Sequence, residues 1–506
     1  MALPTIFIIC FALIVTSFHL VRKINRAIQI RRFEKEHGCF PPPQIRHKDP
    51  FLGLDALREV LDALREHRFL ELGRSNYRRY GNTFRTRILV STDVCTIEPE
   101  NIKTVLAVKF KDFDLGEARR RAFYPLLGNG IFTADGPQWE HSRTLLRPSF
   151  ARTQIAATDM YERHVQKLIS NIPRDGSTVD LQELFFKLTL DTATEFLFGE
   201  SVESLRPESS AKSSRFAHHF NNAQDGLSHR FALGPFAGLG GPSGFEESVR
   251  EARGFVDGFV QKAIDYRASV DSEKNAADSA EPQSRYVFLQ ELAKQTSNTT
   301  ELTDQILNIL LAGRDTTASL LSMVFYTLAR RPDIWKSLQQ EIFPLDGQCP
   351  SFEQLKQMKY LSWVINETLR LYPIVPSNGR RANKDTFLPV GGGPDGKSPV
   401  FVAKGQHVNY DVHVMHRRKD IYGPDADEFR PERWEALRPG WAFVPFNGGP
   451  RICLGQQFAL TEASYTIVRI LQAFKGIASR DPQPWQEALA LTLASDHGTK
   501  VAMVPV

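Results

Sequence analysis

The ten residues Phe446-Asn447-Gly448-Gly449-Pro450-Arg451-Ile452-Cys453-Leu454-Gly455 set one cysteine in a tight loop that feeds an apolar helical pattern reaching Phe474. A thiol at a helix N-terminus meets free backbone N–H groups and the positive end of the helix dipole, which favour the thiolate and tune a metal bound to it. Cys453 is therefore the candidate metal ligand, with Arg451 a cation beside it and Gly455 a residue that lets backbone approach the sulfur. On this loop alone, a buried structural thiol is the competing reading.

Composition permits a large folded enzyme. The chain has 506 residues, 42% of them hydrophobic and 10% aromatic, enough for a sizeable core. Its five cysteines, Cys10, Cys39, Cys95, Cys349 and Cys453, are scattered and odd in number, which argues against a disulfide framework and for a reducing compartment. The net charge of +5 is modest, and the basic residues are dispersed rather than set in an aromatic-interleaved stripe, so nucleic acid is not an expected partner.

Residues 2–21 carry no formal charge and are rich in Ile, Phe, Leu and Val; Arg22, Lys23, Arg26, Arg31 and Arg32 come next. At ~1.5 Å per residue such a stretch approaches the ~30 Å of a bilayer core, and the basic flank keeps the bulk of the chain in the cytosol. The expectation is a transmembrane anchor over residues 1–21, a basic and Pro-rich linker over 22–50 with Pro41-Pro42-Pro43 as a stiff spacer, and one catalytic domain over 51–506. A cleaved signal peptide is the alternative, disfavoured by the absence of a basic segment before the apolar one.

Strand patterns occupy residues 84–90 and 94–97, after which long helical patterns dominate, with residues 234–244 and 271–284 as flexible excursions. Residues 391–398, Gly-Gly-Gly-Pro-Asp-Gly-Lys-Ser, satisfy a phosphate-loop pattern, but Pro399 comes directly after and Val400-Phe401-Val402 continues as a strand, so a Gly-rich hairpin is expected instead of a nucleotide site. Residues 301–330 form a long apolar helical pattern, spanning about 45 Å at ~1.5 Å per residue. Its middle breaks the pattern. Ala312 and Gly313 are small enough for a flat cofactor to lie against the backbone, and Asp315-Thr316-Thr317 place an acid and hydroxyls inside a core helix, where a Thr can open a local bulge or bond back into the helix. Glu367 and Arg370 are spaced i and i+3, and Phe429-Arg430-Pro431-Glu432-Arg433-Trp434 lies further along.

Phe446, Gly449, Arg451, Cys453 and Gly455 fill every fixed position of the cytochrome P-450 signature, and the other segments occur in that family's order, so the chain resembles a haem-thiolate protein of the cytochrome P-450 family. The resemblance covers roughly residues 110–474 and implies a mainly α fold with a small β region, with haem b held by Cys453 as axial ligand. It further implies proton relay to dioxygen by Asp315 and Thr316, packing of the haem against Ala312, Gly313 and Phe446, and propionate contacts from Trp139, Arg143, Arg380 and Arg451. Glu367, Arg370 and Arg433 would form a buried structural triad; the family commonly has Phe where Trp434 stands.

Residues 125–135, 191–200, 391–396 and 446–462 look like the fungal alkane- and fatty-acid-hydroxylating branch, which implies terminal or near-terminal oxidation of long chains. No flavin or dinucleotide site of its own is evident. Electrons are therefore expected from NADPH-cytochrome P-450 reductase, with cytochrome b5 as an additional donor, at the endoplasmic reticulum membrane and with the catalytic domain cytosolic. Other readings stand beside this one: an oxidase of a secondary-metabolite pathway, a haem-thiolate isomerase or dehydratase, and a non-catalytic haem sensor or carrier.

Overall fold

Apolar side chains all round a helix, rather than along one stripe, mark it as buried on every side. Residues 299–328 meet that description, and in the computed structural model they form the helix around which the others pack. The structure describes residues 2–89, 91–151, 158–206, 211–239, 241–274 and 287–506. The helices used below are α1 (Ala2–His37), α2 (Glu117–Leu127), α3 (Gly136–Leu146), α4 (Leu181–Phe198), α5 (Ala211–Ala232), α6 (Phe245–Lys274), α7 (Thr299–Leu328), α8 (Lys359–Leu371) and α9 (Gln456–Ala473). α7 starts on an Asn298 cap, whose side chain accepts from the Glu301 N–H.

The strands are short, and those used below are β1 (Thr83–Ile88), β2 (Ser91–Thr96), β3 (Phe113–Asp114), β4 (Ser377–Ala382), β5 (Thr386–Gly392), β6 (Ser398–Val402) and β7 (His407–Asp411). One sheet runs β1-β2-β7-β4-β3, with β2 and β7 parallel and its other pairs antiparallel. β5 and β6 form the expected hairpin, so the Gly-rich phosphate-loop lookalike is a turn between strands. Residues 234–239 form a short 3-10 turn; of residues 271–284, the first four end α6 and 275–284 lie outside the described residues.

The N-terminus corrects one expectation, that the proline run stands apart as a spacer. Among the described residues no helix is long and apolar enough to cross a membrane. α1 runs through the stretch to Val21 and continues past it as a charged helix to His37. Nor does the proline run stand clear of the domain. Arg26 pairs with Asp385, Nη2 lying 2.6 Å from Oδ1, and the Phe33 ring meets Phe401 at 5.3 Å. The backbone then bonds to the sheet region through Phe40 N–H to Pro399 O (2.8 Å), Arg85 N–H to Pro43 O (2.7 Å) and Ile45 N–H to Arg85 O (2.9 Å).

Glu367 on α8 is fully buried and accepts five hydrogen bonds. Arg370 supplies two at 2.8 Å, and Arg433 Nε, the Arg430 N–H and Trp434 Nε1 supply the others at 2.9, 2.9 and 3.0 Å. Trp434 is thus more than an aromatic replacement: its indole N–H gives the carboxylate a donor that Phe lacks. Arg370 spends its remaining N–H groups on the carbonyls of His416, Ala426 and Glu428, and Arg433 reaches that of Tyr422. His416 Nε2 accepts the Val444 N–H at 3.1 Å and the Tyr422 hydroxyl donates to Ala442 O at 2.9 Å, so this network holds the chain that enters the cysteine loop.

A second buried carboxyl, Glu462 on α9, joins three helices through the hydroxyls of Thr192 on α4 and Thr317 on α7. Burial pushes its carboxyl up to about 8, against the effect of both hydroxyls. Between its ordinary value and about 8 the folded state holds a proton that the unfolded chain does not. Stability therefore falls by roughly 1.4 kcal/mol per pH unit across that window from this group alone. Glu462→Gln should flatten the pH dependence of denaturant midpoints between these limits and leave the protein more stable at neutral pH; an unchanged slope would refute the assignment. Glu367→Ala strands two buried guanidinium groups, at ~3–5 kcal/mol, and should yield no haem-containing protein. Trp434→Phe removes one bond to a charged acceptor and should cost about 1.5–3 kcal/mol in urea melts while retaining the fold.

Candidate functional site

Between Leu302 and Leu328 every residue of α7 is buried except Leu311, Ala312, Gly313 and Thr316. Four open positions in the middle of an otherwise enclosed helix line an internal space. A Cβ on Gly313 would meet only Ala193 at 3.8 Å, so protein packing does not demand a glycine there. The Thr316 hydroxyl bonds back to Ala312 O at 2.8 Å and the helix continues without a bulge.

The cysteine loop supplies the opposite wall. Cys453 donates its backbone N–H to Phe446 O at 3.0 Å, and α9 begins three residues on with Gly455 as its cap. Its thiol is exposed in surface terms yet enclosed by protein atoms, as a residue facing an internal space must be. Burial raises the thiol's pKa, while the Gly455 backbone N–H and the Arg143 charge act the other way. Gly449 has φ +65°, and a Cβ there would lie 1.9 Å from Leu106 O, so the turn into the loop is closed to any other residue.

Two bridges join these walls. On α3, Ser142 accepts from Gln305 of α7 at 2.8 Å, and the next residue, Arg143, donates to Ile452 O at 3.0 Å. In the segment before α3, the Asn129 N–H bonds to Asp304 of α7 at 2.8 Å and the Phe132 N–H to Asn308 at 3.1 Å. From the other side Arg451 reaches Asp135 at 2.7 Å and Ala134 O at 3.1 Å.

The cations gather here. Arg451 lies 4.4 Å from the centre of the Trp139 ring; Arg380 is buried and bonded to Asn378 (3.1 Å) and Gly379 O (2.7 Å). Sequence reasoning missed a fourth member, Arg119 on α2. Burial and then the Arg380 charge bring it down to about 10, and its Nε has no hydrogen-bond partner. Arg451 is likewise brought to about 10, by burial first, with Asp135 opposing and the charges of Arg380 and Arg119 adding to the effect. Arg119, Arg380 and Arg451 therefore share too few carboxylates, chiefly Asp135 and Asp114, and a ligand bearing two carboxylates would relieve them. Arg119 sits in a run, Arg119-Arg120-Arg121, that gave no sign which one turns inward.

A flat apolar group with two carboxylates and a metal fits this donor set: a thiol, four open positions on a helix, and buried cations. The cytochrome P-450 family profile matches residues 56–498. The chain belongs to the cytochrome P-450 family. It is 47% identical over 97% of its length to the cytochrome P-450 monooxygenase himC of Aspergillus japonicus, covering 88% of that protein. It is also 45% identical over 97% of its length to cytochrome P-450 52A13 of Debaryomyces hansenii, covering 95% of it. The protein is thus a cytochrome P-450 monooxygenase, whose family cofactor is haem with iron.

Asp315 stands apart from the other site residues. It is 3% exposed and lies beside Arg314 and Gln224, whereas Thr316 opens to the cavity. Glu367, Arg370 and Arg433 lie outside the cavity and act on it only through the chain they hold. Gly449→Ala should abolish loop closure and haem uptake, read as the loss of the Soret band in purified protein; normal haem content would show that the loop tolerates a Cβ.

Proposed function

We propose that this cytochrome P-450 hydroxylates long-chain lipophilic substrates at a terminal or near-terminal carbon, with Cys453 as the iron ligand. The observation that carries the ligand assignment is the open thiol inside an enclosed, cation-lined space. Trp139, Arg143, Arg380 and Arg451, joined by Arg119, would hold the haem propionates, and Phe446, Gly455, Ala312 and Gly313 would pack near the ring. Haem-thiolate iron, when bound, supplies dioxygen activation and the electron push that favours O–O cleavage. The protein's own part is to place substrate, exclude bulk water and deliver protons from Asp315 through the Thr316 hydroxyl.

The substrate class is supported by the likeness of residues 125–135, 191–200 and 446–462 to alkane- and fatty-acid-hydroxylating enzymes. In the first of these, Gly128 and Gly130 press on Asp304 and Asn308 so closely that a Cβ on either would lie 2.0 Å from a side-chain atom, which fixes this segment beside the cavity. Electrons would come from NADPH-cytochrome P-450 reductase, with cytochrome b5 as an additional donor. The N-terminal helix, which exposes Phe7, Phe11, Ile14, Phe18 and Val21, would hold the protein to the endoplasmic reticulum membrane with its domain, residues 51–506, in the cytosol.

Titrating purified ferric protein with alkanes and fatty acids of increasing length should give a saturable Soret shift that peaks at long chains. Absence of a shift in protein with an intact thiolate spectrum would point to a pathway-specific substrate instead. In the same preparation, removal of residues 1–21 should release the protein from microsomal membranes, and retention would refute the membrane role of the helix.

A further inference from the structure

Trp434 stands where the family commonly has Phe, and its indole N–H donates to Glu367 Oε2 at 3.0 Å. The two buried arginines at that carboxylate, Arg370 and Arg433, are matched by Glu367 and Asp425, so the charged group in direct contact with the indole is the negative one. A hydrogen-bonded carboxylate favours the ring that has lost an electron, because the cation then lies against an anion. Phe offers neither the N–H nor so electron-rich a ring.

Trp434 also touches the segment that presents the cysteine. Its ring centre lies 4.6 Å from that of Phe443, three residues before Phe446, whose carbonyl holds the Cys453 N–H. A second indole, Trp139 beside the cation cluster, has the opposite surroundings. Arg451 and Arg143 stand 4.4 and 5.8 Å from its ring centre, and cations over the face oppose loss of an electron.

Outward from Trp434 the aromatic rings continue. A surface groove of about 610 Å³ is lined by Trp434, Trp363 and Phe443 and by the cations Lys356, Lys359 and Arg438. Trp363 lies one turn before Glu367 on the same face of α8, and the Tyr360 ring centre is 6.1 Å from that of Trp363. The half-buried Tyr360 donates its hydroxyl to Glu432 at 2.9 Å. Burial, with that carboxylate adding to it, pushes the phenol up to about 12, so the proton stays until an electron leaves.

We propose that Trp434, Trp363 and Tyr360 carry oxidising equivalents from the cofactor to this groove, giving the protein a second activity, the peroxide-dependent oxidation of phenolic acids at its surface. This rests on Cys453 as the iron ligand. Trp434 yields one electron to the oxidised haem, Trp363 refills Trp434, and Tyr360 refills Trp363 while its phenol proton moves to Glu432. A phenolic acid, its carboxylate received by the three cations, restores Tyr360 with one hydrogen atom. The proton held by Glu432 passes to solvent and replaces the one consumed at the cofactor. Two passes discharge the two oxidising equivalents of one hydrogen peroxide, which leaves as two waters, and two phenoxyl radicals form.

The test mixes hydrogen peroxide with ferric holoprotein that shows the thiolate band of its reduced carbon monoxide complex. A nitroso spin trap is present, and its adducts are mapped by peptide mass spectrometry. They should fall on Tyr360, and ferulate should be oxidised and should suppress them. Trp434→Phe should cut both the Tyr360 adducts and ferulate oxidation severalfold, with the thiolate band unchanged. Trp363→Phe, which leaves the Glu367 bonds intact, should do the same and serves if Trp434→Phe takes up no haem. Tyr360→Phe should move the adducts inward to Trp363. Parental labelling of Tyr360 in the Trp434 and Trp363 variants, or adducts on Trp139 in place of Tyr360, would overturn the relay alone. A parental protein that binds haem without the thiolate band would overturn the Cys453 assignment and the relay with it.

Discussion

A single buried carboxylate, Glu367, holds together the side of the protein from which the cysteine loop emerges. Five donors converge on it, and the two arginines among them extend to backbone carbonyls from Tyr422 to Glu428. Charge buried so deeply is tolerable only when every lone pair and every N–H is used, and here the spare guanidinium N–H groups satisfy chain that has no regular secondary structure. That segment is fixed as firmly as a helix would be. His416 and Tyr422 pass the constraint to Val444 and Ala442, a few residues before the loop that presents Cys453.

The cavity is defined by what α7 fails to bury. Most of this helix gains stability from apolar contact, but between Leu311 and Thr316 four positions leave surface open, and two polar bridges hold the cysteine loop to it. The same helix serves three directions at consecutive residues. A rotation of ~100° per residue sends Asp315 toward α5, Thr316 to the cavity and Thr317 to Glu462. The segment Asp315-Thr316-Thr317 looks like one site in the sequence and is three environments in the fold.

The buried arginines show the same economy. Burial and the nearby Arg380 charge depress both Arg119 and Arg451, a cost the protein alone does not offset. Such a cluster is stable only with anionic company, which connects the energetics of the protein to the chemistry of the group it is built to hold.

Motif order determined the family and the Glu367 triad and singled out Cys453, Asp315 and Thr316 as candidates, because each depends on residue type at fixed local spacing, which a linear chain displays. The hairpin at residues 391–398 was legible for the same reason, since Pro399 forbids the helix that a phosphate loop needs. The N-terminal run was read as a span from its lack of charge, and among the described residues no helix is long and apolar enough to cross a membrane; docking of residues 40–45 on the sheet depends on partners far along the chain, such as Pro399. Arg119, the indole bond of Trp434 and the link from Glu462 to Thr317 were decided by tertiary structure alone. Each is a meeting of side chains from separate helices or loops, and sequence spacing carries no information about which residues such packing brings face to face.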